Sequence, residues 1–198
     1  MSELQQKGFE FARKIFDDIR EMSKDTQGVT RQAFSAKETA VLDYLTEIGR
    51  SLQLEIASDK AGNVWMTLPG KDRSLPAFVS GSHVDSVPQG GNYDGLAGVT
   101  AALTVAWWMR EENYQPARDY TVLMMRGEES SFFGKAYMGS LGMLGKLTQK
   151  DLALKIRDGS CTLSEAMQSC GIDPEAVSGG KPLIDTDRIA AFVELHIE

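Results

Sequence analysis

The chain is poor in the side chains that most readily bind metals. Its 198 residues hold two cysteines and two histidines. Cys161 and Cys170 lie in a polar stretch and make neither a disulfide framework nor a zinc knuckle, so we read them as reduced thiols. Long apolar runs are also missing. None approaches the roughly 20 residues of a membrane-spanning helix. The opening MSELQQKGFEFARKIF is amphipathic and lacks the apolar block of a secretory signal. A cytoplasmic protein without membrane partners is therefore expected. Basic excess is lacking too: 21 Lys and Arg stand against 28 Asp and Glu, a net charge of -7. With no Lys/Arg cluster on top of that balance, nucleic-acid partners are not expected. Repeats and low-complexity tracts are absent. What remains, 42% hydrophobic and 25% charged residues, suits a globular domain with a real core.

Helices and strands alternate along that domain. Residues 3–22 carry apolar residues at helical spacing behind a Ser2/Gln5 capping box. Residues 23–34 read as a loop containing Gly28. Ser35 and Glu38 form a second capping box, with Val41, Leu45 and Ile48 on one side of the helix behind it. Leu54–Ser58 and Asn63–Leu68 read as strands around a DKAGN turn. Ala77–Val84 and Tyr120–Met125 are continuous apolar runs, the mark of strands buried on both faces. Between them, 98–110 is a helix apolar almost all round, and its Trp107–Trp108 pair reads as packing. Residues 134–146 look helical despite three glycines. Residues 148–185 are polar, with capping boxes at Thr148/Asp151 and Thr162/Glu165, and read as short helices away from the core. Ile189–Glu198 reads as a further core strand carrying His196. The fold class is thus α/β, a mixed, largely parallel sheet flanked by helices.

Chemistry gathers at the strand ends. His83 and Asp85 close one buried strand, and two residues apart they face one way. Glu128 and Glu129 follow another, and His196 lies on a third. In open α/β sheets the carboxyl edge is where sites are built. An imidazole there can ligate a cation while one nearby carboxylate orients it and another, such as Asp94 in the Gly-rich turn, ligates or bridges. Adjacent acids near a metal can divide the work, one ligating and the other taking a proton from water. The Gly-rich QGGNYDGLAG also invites a phosphate-loop reading. It has neither the Lys–Ser/Thr of a Walker loop nor G-x-G-x-x-G spacing, and Asp94 at a helix entrance would repel phosphate.

These residues match a known pattern. GSHVDSVPQGGNYDGLAGV resembles the signature of the N-carbamoyl-L-amino-acid hydrolases, whose near relatives are allantoate amidohydrolases and β-ureidopropionases. The group belongs to the dinuclear zinc aminopeptidase/carboxypeptidase-like superfamily. RGEESSFFG looks like its paired-glutamate motif and VELHIE like the start of its ELHIEQG motif. Thr30, Arg31, Ser35 and Gly62–Asn63 fit as well. The resemblance implies a zinc-exopeptidase-like catalytic domain with two divalent metal ions in the full-length form, Zn or else Mn, Co or Ni. It implies His83 and His196 as ligands of one metal, Asp94 as the bridge and Glu129 as ligand of the second. Glu128 would be the general base and Asp85 would orient His83. The substrate would be a small ureido compound and the full-length enzyme a homodimer. Family chains are about twice as long. Residues 1–198 are therefore expected to be the N-terminal part of the catalytic domain, without the dimerisation or lid domain and the C-terminal part. That half should hold one metal or none and leave Val193, Leu195 and Ile197 at an open edge. A cis Asp94–Gly95 peptide is also implied. A peptidase of the same superfamily and a non-catalytic fragment are the alternatives.

Overall fold

Residues 2–197 are described by a computed structural model. Five strands form one mixed sheet in the order β1-β2-β4-β3-β5: β1 Glu55–Ser58, β2 Val64–Leu68, β3 Ala77–His83, β4 Tyr120–Met125 and β5 Ile189–Val193. β3 pairs parallel with both β4 and β5, whereas β1–β2 and β2–β4 are antiparallel. The parallel side carries the chemistry, because β3 sits between β4 and β5 and their carboxyl ends open on one edge.

β4 explains how two cores share one sheet. All six of its residues are buried. Alternate side chains point to opposite faces of a strand. Tyr120, Val122 and Met124 join one core, and Leu123 and Met125 join the other. The first core is covered by α1 (Glu3–Ser23), α2 (Ala36–Ser51) and α3 (Leu96–Glu111), which bury Ile15, Ile19, Val41, Leu45, Val99 and Leu103. Trp107 stacks on Phe11 with ring centroids 5.6 Å apart, the packing role its sequence suggested.

The second core departs from the sequence reading. Four short helices cover this face: α4 Met138–Met143, α5 Gln149–Leu152, α6 Leu163–Ser169 and α7 Pro174–Val177. Far from lying away from the core, the 148–185 region buries Leu152, Ile156, Leu163, Met167, Ile172 and Val177 in it. The expected 134–146 helix shrinks to six residues. Gly134 and Gly145 take left-handed φ of 71° and 67° at its two sides, and Tyr137 enters it at φ 64°.

Three further expectations are corrected. Ser35 caps α2 by accepting from the Glu38 amide, but the Glu38 side chain does not return to Ser35 and is buried elsewhere. β5 ends at Val193, so His196 lies beyond it in an irregular segment, and Phe192 and Val193 are exposed rather than buried. The described peptide bonds are all trans, Asp94–Gly95 included. The turn is made by Gly95 at φ 64°, where a Cβ would also strike the His83 ring.

Candidate metal centre

Three elements deliver three ligand atoms. His83 is the last residue of β3, Asp94 stands just before α3, and His196 follows β5. Their Nε2, Oδ1 and Nε2 atoms lie within 4.8 Å of one another. The two imidazole nitrogens are 3.2 Å apart. Asp94 Oδ1 lies 3.6 Å from His83 Nε2 and 3.5 Å from His196 Nε2. It is buried and has no hydrogen-bond partner among the described residues. An orphaned carboxylate oxygen facing two ring nitrogens fits a divalent cation, which would satisfy all three at once. Glu129 stands next to this cluster, its Oε1 4.0 Å from His83 Nε2.

Asp85 organises the surroundings. Its backbone carbonyl and its Oδ1 lie 3.1 and 3.3 Å from His83 Nδ1, which turns His83 Nε2 toward Asp94. The same carboxylate accepts from the Glu128 amide at 3.0 Å and the Glu129 amide at 2.9 Å. One buried side chain therefore fixes both the imidazole on β3 and the turn after β4.

Charges follow from burial and proximity. Burial opposes a charge on His83, but Asp85 and Asp94 outweigh it and carry the imidazole up to about 10. Asp94 is held below the usual carboxylate range, chiefly by His83. Glu129 is pushed up by burial, against the pull of His83. Without a cation the cluster holds protons, and a cation would displace them. Glu128 differs. Burial raises it to about 7, while the Ser140 amide and hydroxyl favour the ionised form, donating at 3.0 and 3.1 Å. Glu128, Glu129, His83, His196 and Ser140 line one cleft of about 530 Å³.

Several supports were not read from the sequence. Glu38 is fully buried and accepts from Phe34 N at 2.8 Å, Gly127 N at 2.9 Å and Arg126 Nε at 2.8 Å. Burial pushes its carboxyl up to about 7 and Arg126 pulls against it. Both oxygens face donors only, which favours the carboxylate. Asn63 Oδ1 takes the Arg126 amide at 3.0 Å. The turn from β4 into Glu128 is thus fastened by Glu38, Asn63 and Asp85. The sequence did hint at Glu38, but the capping position concealed its long-range role. Ser140 lies in a glycine-broken stretch and left no signal.

Residues 63–152 match Peptidase family M28. Over 191 residues the chain is 30% identical to an N-carbamoyl-L-amino-acid amidohydrolase of Paenarthrobacter aurescens, covering 94% of this chain and 46% of that one. Over most of its own length the chain is thus similar to an amidohydrolase. A ureidoglycolate hydrolase of Oryza sativa subsp. japonica is 33% identical, with 86% of this chain and 35% of that one covered. A hydantoinase/carbamoylase family amidase from Burkholderia ambifaria has the same fold, with a TM-score of 0.81 at 26% identity over 96% of this chain and 45% of that one. The chain thus spans less than half the length of these proteins. No helix among its described residues is long and apolar enough to cross a membrane.

Proposed function

We propose that the whole protein hydrolyses the carbamoyl C–N bond of N-carbamoyl-L-amino acids or of related ureido acids such as allantoate and ureidopropionate. The observation that carries this is the convergence of His83, Asp94 and His196 beside a buried carboxylate whose affinity for protons is tuned near neutrality. The names of the relatives support the substrate class. In this reading His83, Asp94 and His196 hold one divalent cation, Zn or Mn, Co or Ni, and Asp94 with Glu129 contributes to a second. Bound there, cations polarise the scissile carbonyl and acidify water. Glu128 takes the proton from water and returns it to the leaving nitrogen. A base with a pKa near the working pH does both jobs well. Asp85 keeps His83 aimed and Glu128 in place, and Ser140 holds the Glu128 carboxylate. Ammonia, carbon dioxide and the free amino acid would be the products. We read residues 1–198 as the N-terminal part of the catalytic domain of a cytoplasmic homodimer.

The test measures ammonia release by the whole protein from a panel of N-carbamoyl-L-amino acids, allantoate and ureidopropionate, with Zn²⁺ or Mn²⁺ supplied. Glu128→Gln should keep bound metal and lose about 10²–10⁴-fold in turnover, because an amide accepts no proton. Glu129→Gln should lower metal occupancy instead. The family M28 match over residues 63–152 favours a peptidase as the second reading. Release of amino acids from dipeptides, with no ammonia from the ureido panel, would establish that reading and overturn ours.

A further inference from the structure

Arg31 is fully buried, at 0% exposure, directly beneath the loop that carries the candidate ligands. Among the described residues it has no carboxylate within ion-pair distance. It spends two side-chain nitrogens on the loop itself, while its Nη2 is buried with no partner among the described residues. Nε donates to the Val84 carbonyl at 2.6 Å and Nη1 to Asn92 Oδ1 at 3.2 Å. Its backbone amide donates to Ser86 Oγ at 2.9 Å, and its carbonyl accepts from the Ser86 amide at 3.0 Å. Asn92 in turn donates from Nδ2 to the Phe16 carbonyl of α1 at 2.9 Å.

The positions of these partners matter. Val84 follows His83, and Asn92 stands two residues before Asp94. One planar guanidinium therefore spans both ends of the loop between the first imidazole and the carboxylate that faces it. We infer that Arg31 is a positioning residue: its fork sets the separation of His83 and Asp94, with Asn92 anchoring the far tine to α1. This deepens the metal-site reading above and rests on it.

The clamp has a rival explanation, and the two predict opposite signs. If Arg31 acted only as a positive charge near Asp85 and Asp94, removing it would strengthen cation binding, because like charges repel. If it acts as a clamp, removing it lets the ligands drift apart and weakens binding. Supporting residues outside the ligand set are worth about 10–100-fold in metal affinity. Lysine separates the cases further. It keeps the charge but presents a point ammonium rather than a fork with two fixed donors.

Zn²⁺ and Mn²⁺ are titrated calorimetrically into the metal-free chain as wild type, Arg31→Met, Arg31→Lys and Asn92→Ala, with a thermal melt of each by circular dichroism. The expected result is about 10–100-fold weaker binding for both Arg31 variants. A smaller loss in the same direction is expected for Asn92→Ala, which cuts only the far end of the clamp and guards against a misfolded Arg31 variant. Tighter binding by Arg31→Met with unchanged binding by Arg31→Lys would overturn the clamp in favour of charge. Wild-type affinity in Asn92→Ala and Arg31→Lys would overturn it outright. Wild type that binds neither cation would overturn the metal reading itself, and this inference with it.

Discussion

His83 and His196 bring their ring nitrogens within 3.2 Å, yet they are held in opposite ways. The His83 side chain is 3% exposed and that of His196 is 43% exposed. His83 ends a strand paired on both sides, with Asp85 behind its ring and Gly95 against it. His196 hangs past an edge strand in a segment tied to β3 by the Ser82 hydroxyl donating to Glu194. Its outer neighbours Val193, Leu195 and Ile197 face solvent. The centre thus has a built half and an added half. The built half is over-determined by hydrogen bonds, and the added half is placed by the β3–β5 ladder and the single Ser82–Glu194 hydrogen bond.

The contrast can be broken most severely from the built side. Glu38→Ala leaves Arg126 buried without its partner and strips Gly127 and Phe34 of an acceptor. Breaking a buried pair from one side costs about 3–5 kcal/mol, to be read by urea unfolding. Replacing each imidazole then tests the contrast directly. His83→Ala should lower metal-free stability by about 1–3 kcal/mol, since Asp85 loses a buried partner, and should also lose metal. His196→Ala should weaken metal binding while leaving stability within about 0.5 kcal/mol. Equal stability losses would mean that the two halves are not built differently.

A subtler probe is Ser140→Ala. Its amide remains but its hydroxyl no longer donates to Glu128. That hydroxyl favours the carboxylate, so its loss raises the Glu128 pKa further from about 7. A general base must be deprotonated, so the acid limb of the activity profile of the whole protein should move to higher pH. Turnover at the acid end should fall by about tenfold for each unit of that move, while the alkaline plateau holds. The smallest effect belongs to the added half. Val193→Lys on the open edge should change stability by no more than about 0.5 kcal/mol. It should also reduce self-association in light scattering, because a charge on an edge strand discourages edge pairing.

The same division runs through what was legible. α1 and α2 were readable because their long periodic stripes and capping residues are local signals, and α1 ended within one residue of its expected boundary at Met22. On the other face the capping boxes at Thr148/Asp151 and Thr162/Glu165 did mark α5 and α6, but their burial was not readable, because helices of four to seven residues carry too few apolar positions to show a period. The two histidines stood out by their place at or past strand ends and Asp94 by its Gly-rich turn, and His83, Asp94 and His196 do come together. Among their supports Asp85 was legible beside His83, but the pairings made across the chain stayed hidden. Glu38 meets Arg126 across 88 residues and Arg31 meets Asn92 across 61. No local pattern encodes a partner at that distance.

The place of β5 after the other described elements has a consequence in time. The hydrogen bonds that Asp85 makes to His83, Glu128 and Glu129, and those of Ser140 to Glu128, lie in residues that precede β5, and Glu129 leads His196 by 67 positions. At about 5–20 residues per second, synthesis of that interval takes roughly 3–13 s. The nascent polypeptide can therefore fold its acidic cluster seconds before its second imidazole has been translated. In the proposed metal site, the second imidazole would thus join a half that is already folded.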